Sequence, residues 1–187
     1  MQKINVIAFG GLGGNLFSAG LKTILMRLNG APGVDFRTCE DWKSWKRWGE
    51  TLQSWRDPTV MLCHSFGVPA AFGAIRRMGA RGPKIPLVIA FDPSQYWSFQ
   101  PGLWGSGGNA APDRVERVIN FWQQAPLFAI GNQRVFRDDG SLKNIANILI
   151  ENVIHGAIED RPLLQQRAVN EIKDIIANLN PPQPKAA

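Results

Sequence analysis

Short apolar runs alternate with segments of helical periodicity through the first half of the chain. The runs cover residues 3–9, 59–63 and 87–91, and a shorter strand pattern covers residues 34–39. Continuous apolar runs of this length are typical of parallel strands that are buried on both faces. A helical pattern follows each of the strand patterns 3–9, 34–39 and 59–63. The sequence therefore predicts a three-layer α/β/α sandwich with a mainly parallel central sheet.

The second half of the chain has weaker periodicity. Residues 114–122 alternate enough to predict a strand, residues 134–136 predict a short strand before a turn, and residues 144–154 fit either a helix or an extended core segment. Residues 162–179 carry apolar side chains on one face and predict an amphipathic helix. The aromatic and glycine-rich stretch 95–112 has no sustained period, which favours a lid or a pocket wall.

Length and composition indicate one ordinary globular domain. The chain has 187 residues, of which 44% are hydrophobic and 19% are charged. A chain of this size forms one core, so we expect a single domain over residues 1–180. The proline-containing end of the chain, residues 181–187, predicts a disordered tail.

Charge and cysteine content indicate which partners and which cellular compartment to expect. The formal net charge is +6, but the basic residues are scattered and no nucleic-acid-reading motif accompanies them, so we expect no nucleic-acid partner. Cys39 and Cys63 lie on predicted strands without a paired spacing, which favours free thiols in a reducing compartment. No signal-peptide pattern and no apolar run of the ~20 residues of a membrane span is seen, so we expect a cytoplasmic protein.

Tryptophan is concentrated on one predicted helix, which begins after Asp41, a suitable N-cap residue. Along one face of this helix lie Trp42, Trp45, Trp48, Leu52 and Trp55. Such a stripe is most often packed in a core. The alternative is an aromatic face with basic neighbours that contacts a lipid surface or a partner protein.

A serine between a strand and a helix is the sharpest feature of the sequence. The run 59–63 ends in Cys-His-Ser-Phe-Gly, residues 63–67, and small and apolar residues follow at helical spacing. On such a turn the Oγ of Ser65 leaves the plane of the sheet, and the N–H of Phe66 is aimed at the same point. The usual pattern is G-x-S-x-G, in which Cys63 here replaces the first glycine.

A glycine-rich loop follows the first predicted strand. A dinucleotide-binding fingerprint G-x-G-x-x-G would begin at Gly11, but Leu16 stands at its third glycine position, and no Gly-Lys-Ser/Thr of a P-loop is present. Glycine lets backbone N–H groups approach a reacting carbonyl, so Gly11 or Leu12 is a candidate donor to an oxyanion. The alternative interpretation is a plain tight turn.

The chain contains only two histidines, His64 and His155. A serine nucleophile needs a base within hydrogen-bond reach. His64 directly precedes Ser65, and adjacent side chains at the end of a strand point to opposite faces, so His64 is badly placed to be that base. If Ser65 is a nucleophile, His155, in a loop-like stretch before the last helix, must serve it.

The acid that would orient His155 is Asp92, which follows the apolar run 87–91. Open α/β sheets place their chemistry at the C-terminal ends of strands, where Ser65 is also expected. An aspartate before proline is equally common as a turn or helix-capping residue, and both interpretations of Asp92 fit its position.

These features together resemble the α/β-hydrolase family. The strand–loop–helix units, the serine elbow, the histidine before the terminal helix and the chain order serine, acid, histidine carry the resemblance. It implies that Ser65 is the nucleophile and His155 the general base. It also implies that N–H groups of Phe66 and of the Gly11–Leu12 loop form the oxyanion hole.

The position of the acid departs from the commonest arrangement of that family. Many members carry the acid one strand later, where residues 122–125 offer no carboxylate. Some lipases of the family have an Asp-Pro after the earlier strand, as this chain has at Asp92. Asp138 and Asp139 are the alternative acids.

The resemblance implies hydrolysis of a carboxylic ester or thioester through an acyl-enzyme, with no metal and no organic cofactor. The aromatic stretch 95–112 and the scarcity of positive charge near the motifs favour a substrate with an apolar acyl group. The rival hypothesis is a catalytically inert protein of the same fold that uses its tryptophan helix as a contact surface. In that case Ser65 would be unreactive, and binding would depend on Trp45 or Trp48.

Overall fold

The computed structural model describes residues 1–12, 18–94, 107–124 and 133–181. Within these ranges the strands are β1 (Ile4–Gly10), β2 (Val34–Asp41), β3 (Thr59–His64), β4 (Val88–Phe91), β5 (Ala110–Ala111), β6 (Val118–Trp122), β7 (Phe136–Arg137) and β8 (Ile145–Leu149). The α-helices in the same ranges are α1 (Ala19–Arg27), α2 (Trp45–Thr51), α3 (Gly67–Met78) and α4 (Pro162–Leu179).

Six of the strands form one parallel sheet in the order β2-β1-β3-β4-β6-β8. The short strands β5 and β7 pair separately. Parallel neighbours need crossover connections, and the helices that make them cover the sheet. The helices α2 and α3 pack on one face, and α1 and α4 on the other. The predicted three-layer α/β/α sandwich with a parallel central sheet is confirmed.

Alternate residues of β1 show why the central strands read as continuous apolar runs. Ile7 and Phe9 belong to the buried cluster beneath α2 and α3, whereas Val6 and Ala8 belong to the cluster beneath α1 and α4. Every residue of β1, β3, β4 and β6 is buried. A strand covered by helices on both faces has no solvent side, so most of its positions are apolar.

Two predicted elements have different bounds or type in the structure. The predicted strand 114–122 begins only at Val118, because the Val115 N–H donates to Pro112 O at 2.9 Å and closes a turn. Of the two interpretations of residues 144–154, the extended one is correct: Ile145–Leu149 pairs with β6 along its whole length. As an edge strand, β8 is only half-buried, which explains its weaker apolar pattern.

The tryptophan helix is shorter than predicted and lies against the core. The Oδ1 of Asp41 accepts the Lys43 N–H at 2.8 Å, which confirms the predicted N-cap. A 3₁₀ turn follows, and the α-helical part then runs from Trp45 to Thr51. Trp42, Trp45 and Trp48 are 6%, 4% and 8% exposed. These three side chains are therefore packed in the core, as the commoner interpretation of the stripe predicts.

Several expectations fall on residues outside the described ranges. Most of the predicted aromatic lid, residues 95–106, and most of the predicted tail, residues 182–187, are among them. In the ranges that are described, the helices are too short or too polar to cross a membrane.

Candidate active site

Ser65 lies on the tight turn between β3 and α3. Its φ is +56°, a left-handed conformation that costs a residue with a Cβ roughly 1–2 kcal/mol. The Ser65 N–H donates to Phe91 O in β4 at 3.0 Å, and Ser65 O accepts the Val68 N–H at 3.1 Å. The strained turn is therefore held by both the sheet and the helix, at the C-terminal edge of β3.

Two glycines make room for this turn. A Cβ on Gly67 would collide with Phe9 O, and a Cβ on Gly11 would lie 2.6 Å from the Ser65 Cβ. Cys63 occupies the position of the first glycine of G-x-S-x-G without such a conflict. Its side chain is buried in the cluster beneath α3, and its Sγ lies 3.5 Å from a carbonyl oxygen of β4. A small side chain is thus tolerated where the pattern usually has glycine.

His155 and Asp92 meet Ser65 at the same edge of the sheet. The His155 Nε2 lies 2.9 Å from Ser65 Oγ, and its Nδ1 lies 2.7 Å from Asp92 Oδ2. An ionised carboxylate only accepts hydrogen bonds, so Nδ1 carries the proton and Nε2 is left to accept the serine hydroxyl proton. The side chain of His155 is 20% exposed, whereas that of Asp92 is fully buried.

Asp92 is held by the ends of two neighbouring strands. Its φ is +46°, and its N–H donates to Phe121 O at 2.7 Å. Gln123 donates its side-chain Nε2–H to Asp92 Oδ2 at 2.8 Å and its backbone N–H to Oδ1 at 3.4 Å. Donors of this kind stabilise a buried carboxylate. Sequence reasoning missed Gln123, although a polar residue at the end of an apolar strand beside Asp92 was the available signal.

The two alternative acids lie at the turn after β7. Asp138 accepts a hydrogen bond from Arg76 at 2.5 Å, and its side chain is half-exposed. The Oδ1 of Asp139 accepts the Ser141 N–H at 2.9 Å, and this bond lowers the pKa of Asp139 below its ordinary value. Of the three candidate acids, Asp92 is the one that the structure brings to His155.

The candidate oxyanion donors lie on both sides of Ser65. Phe66 is the N-cap residue of α3, where backbone N–H groups lack intrahelical acceptors. The Gly11 N–H donates to Ser18 Oγ at 3.2 Å, so this donor is already engaged. Leu12 follows directly, with its side chain 58% exposed.

Ser94 is a further hydroxyl that sequence reasoning missed. It is fully buried, its Oγ lies 3.3 Å from Ser65 Oγ, and its N–H donates to Ser65 O at 3.3 Å. Its position two residues beyond Asp92 was the only signal available. The Ser65 hydroxyl has one proton and donates to one acceptor at a time. When Ser65 donates to His155 Nε2, the hydrogen bond between the two serines is therefore a donation from Ser94 Oγ to Ser65 Oγ.

His64 lies behind Ser65, with its ring 4.9 Å from that of His155. Its Nε2 is 3.1 Å from His155 O, and its Nδ1 is 3.3 Å from Glu159 Oε1. Burial lowers the pKa of His64 to about 3. As the sequence predicts, the ring that reaches Ser65 Oγ belongs to His155.

A cleft of about 470 Å³ opens at the end of β8, directly before His155 in the chain. It is lined by Gln124, Leu149, Ile150, Glu151, Asn152, Val153 and Ile154. Among the described residues, no group of three or more histidine, cysteine, aspartate or glutamate side chains is placed to hold a metal ion.

Comparison with known proteins finds solved structures of similar fold. No family model and no curated protein sequence matches the chain. A YdeN-like hydrolase of Pectobacterium atrosepticum is similar in structure, with a TM-score of 0.55 and 15% identity over 93% of this chain and 92% of that chain. The type II thioesterase BorB of the borrelidin biosynthetic cluster has a TM-score of 0.57 and 10% identity over 91% and 93% of the two chains.

A third similar structure is the peroxisomal α/β-hydrolase Lpx1 of Saccharomyces cerevisiae. Its TM-score is 0.54 at 11% identity, and the alignment covers all of this chain and 81% of Lpx1. At these identities the likeness concerns the fold. With the parallel six-stranded sheet, the serine elbow after β3 and the helices on both faces, the chain has the α/β-hydrolase fold.

Proposed function

We propose that this protein is a serine hydrolase that cleaves a carboxylic ester or thioester through an acyl-enzyme intermediate. One observation carries the proposal, the continuous hydrogen-bonded chain from Ser65 Oγ through His155 to Asp92 at a strained strand-to-helix turn. The fold neighbours, which include hydrolases and thioesterases, support it.

Acylation of Ser65 is the first half of the proposed reaction. The Oγ attacks the carbonyl carbon while its proton passes to His155 Nε2. Asp92 holds the Nδ1–H and stabilises the imidazolium that forms. The tetrahedral intermediate then collapses, the C–O or C–S bond breaks, and His155 gives the proton to the departing alcohol or thiol.

Deacylation repeats these steps with water as the nucleophile. His155 accepts a proton from water as its oxygen attacks the acyl carbon, and the bond to Ser65 Oγ breaks as the proton returns to that oxygen. The products are a carboxylic acid and the free serine. His155 is partly exposed, so water has access to the proton acceptor.

Negative charge on the carbonyl oxygen needs fixed donors in both halves of the reaction. The Phe66 N–H sits at the N-terminus of the twelve-residue helix α3, where the helix dipole favours negative charge. Of the two candidates in the loop after β1, Leu12 is the better second donor, because the Gly11 N–H is given to Ser18.

An apolar acyl group is the proposed specificity. Leu12 and Ile154 are 58% and 67% exposed, and each adjoins in sequence a residue of the site, Gly11 or His155. Ile154 also lines the cleft at the end of β8, together with Leu149 and Val153. Apolar walls with a few polar groups at one end are the usual form of a site for such a ligand.

Covalent labelling with a fluorophosphonate tests the proposed nucleophile. Intact-mass analysis of the wild-type protein is expected to show one stoichiometric adduct. Ser65→Ala and His155→Ala are expected to show none, because one lacks the nucleophile and the other its base. The matched control is Ser54→Ala, which removes a serine hydroxyl from an exposed position.

The labelling result also separates the proposal from the rival hypothesis. An adduct that persists in Ser65→Ala would place the reactive group elsewhere. A folded wild-type protein without an adduct would contradict the hydrolase proposal and favour an inert protein of this fold. Once an adduct is found, a panel of acyl esters and thioesters of increasing chain length identifies the preferred acyl group.

A further inference from the structure

A second group of polar side chains lies buried behind the proposed nucleophile. His64, Ser18 and Glu159 have side-chain or residue exposures of 3% or less, and the proposed reaction uses none of them. Buried polar groups are costly unless their hydrogen bonds are satisfied, so such a group calls for an explanation.

The proton on the His64 ring can be assigned from its neighbours. The Nε2 lies 3.1 Å from His155 O, and a carbonyl oxygen only accepts, so Nε2 carries the hydrogen. With burial lowering the pKa of His64 to about 3, the ring is neutral, and its Nδ1 is an acceptor. The hydrogen bond to the main chain of His155 is therefore a donation by His64.

Glu159 lies beside the same edge of the ring. Its Oε1 is 3.3 Å from Nδ1 without a hydrogen bond between them, and its side chain is fully buried. A Cβ on Gly20 would meet the main chain of Glu159, so α1 sits directly on this residue and keeps water out. Burial raises the pKa of Glu159 to about 8, so the group is a carboxylic acid at neutral pH.

Ser18 connects the same ring to the loop after β1. Its Oγ accepts the Gly11 N–H at 3.2 Å and lies 3.5 Å from His64 Nδ1. Because an acceptor hydroxyl still has its own hydrogen to give, Ser18 can donate to Nδ1 while it holds Gly11. One neutral ring thus links the loop beside Ser65 to the residue that bears the proposed base.

We propose that His64 is a positioning residue for the proposed reaction. Its Nε2–H fixes the main chain of His155, so that the His155 ring stays in line with Ser65 Oγ. Through Ser18, whose hydroxyl donates to Nδ1, it also fixes the Gly11 loop, and the neutral carboxyl of Glu159 packs beside the same edge of the ring. His64 itself contacts neither substrate nor the reacting atoms.

Other charged and titratable groups face this cluster. His155 and Asp92 lie near His64, and Asp92 and Asp160 lie near Glu159. A second charge beside these groups would be unfavourable, since the Asp92 carboxylate is already buried. A neutral His64 and a protonated Glu159 avoid that cost, and the cluster acts through geometry and not through charge.

Nitrogen-resolved NMR of the histidine rings tests the assignment without any variant or any activity. The chain has two histidines, so four ring nitrogens are expected. We expect His64 to be the neutral Nε2–H tautomer between about pH 5 and about pH 9, without titration. His155 is expected to carry its proton on Nδ1. A His64 ring protonated on Nδ1, or one that titrates near pH 6.5, would overturn the inference.

Two substitutions of His64 separate positioning from packing. In His64→Gln the amide nitrogen reaches the place of Nε2 and can still donate to His155 O. In His64→Asn the shorter side chain leaves that carbonyl without a donor. We expect fluorophosphonate labelling to slow by about 100-fold in His64→Asn, because a displacement of about 1 Å has this effect, and His64→Gln to recover most of the rate.

The kinetic pattern distinguishes a positioning role from simple loss of stability. With an ester substrate, the loss in His64→Asn is expected in kcat, with KM little changed, and the hydrogen-bonded Nδ1–H signal of His155 is expected to broaden. Wild-type labelling rates in His64→Asn would refute the positioning role. Absence of labelling in the wild type would refute the proposed function instead, and the tautomer measurement would still decide the state of His64.

Discussion

Two acid–histidine pairs lie within one site and behave in opposite ways. Asp92 and His155 are 2.7 Å apart, and Gln123 adds two N–H donors to the carboxylate. Glu159 and His64 are 3.3 Å apart and buried, and among the described residues no side chain donates a hydrogen bond to the acid. The first pair can hold a negative charge, whereas the second is neutral.

Environment, and not residue type, decides what an acid beside a histidine does. Donated hydrogen bonds stabilise the ionised form of Asp92, and desolvation favours the protonated form of Glu159. Only the pair with a stabilised carboxylate and a partly exposed ring is suited to move a proton. The predictions below test this contrast, in order of decreasing effect.

The largest effect is expected for Asp92→Asn. The amide cannot hold His155 in the Nδ1–H tautomer, so kcat on an ester is expected to fall by roughly 10⁴-fold. The matched control is Asp138→Asn, which removes a carboxylate that pairs with Arg76 and should leave kcat within about 3-fold, the range of a surface ion pair. A large loss in the control with none in Asp92→Asn would make Asp138 the functional acid.

The next effect concerns Glu159 and the pH dependence of stability. Its pKa is raised from 4.5 to about 8 by burial, so between these values only the unfolded chain loses the proton. The contribution of Glu159 to the free energy of unfolding should therefore fall by on the order of 4 kcal/mol as pH rises from about 4.5 to about 8. His64 has the opposite slope below about pH 6.5, so the total should fall from about pH 6.5 to about pH 8. Chemical denaturation across this range measures it.

Glu159→Gln is the control for that slope. It lacks the ionisable proton, so its stability should stay level from about pH 6.5 to about pH 8 and exceed that of the wild type at high pH. The buried His64 has the opposite sign, because its pKa is lowered from 6.5 to about 3. Both proteins should therefore lose stability as pH falls from about 6.5 towards about 3. If the free energy of unfolding fell equally in the wild type and in Glu159→Gln between about pH 6.5 and about pH 8, Glu159 would be ionised in the folded protein.

Removal of Gln123 is expected to weaken the first pair by leaving Asp92 short of donors. A hydrogen bond to a buried charge contributes about 2 kcal/mol, so Gln123→Ala should lower the free energy of unfolding by about that amount and reduce kcat. Gln124→Ala changes an exposed neighbour of the same type and is expected to leave the free energy of unfolding unchanged. Equal stability of the two variants would show that Asp92 does not depend on Gln123.

The smallest effect is expected for Ser94. Its hydroxyl, 3.3 Å from Ser65 Oγ, can donate to the nucleophile oxygen as charge develops there. A single neutral hydrogen bond contributes about 1 kcal/mol, so Ser94→Ala should slow fluorophosphonate labelling by about 5-fold. Ser94→Thr keeps the hydroxyl and should recover part of the rate. A faster reaction in Ser94→Ala would mean that Ser94 competes with His155 for the serine proton.

The apolar runs of the sequence were enough to predict the fold. The middle of a strand such as β3, from Val60 to Cys63, is apolar because helices cover both of its faces, and that pattern is visible in the sequence. The prediction was weakest where burial is partial, as in β8 at the sheet edge, and where hydrogen bonds shape a turn, as at Val115. The spacing of apolar residues gives no information on partial burial or on hydrogen bonds that form a turn.

The candidate residues of the site could be named from the amino-acid sequence. An elbow serine, a single well-placed histidine and an acid at a strand end could be named from spacing alone, and the glycine at position 67 is required by local crowding. Spacing could not choose among Asp92, Asp138 and Asp139. That choice depends on which side chain the strand order brings to His155.

Only the tertiary structure decided how the two acid–histidine pairs differ. Gln123 reaches Asp92 because β4 and β6 are neighbours, and Glu159 loses its water because α1 covers it. Desolvation and hydrogen bonding act between residues that are distant in the chain, so no local pattern of residue types encodes them. The same two residue types therefore become a charged pair in one place and a neutral pair in the other.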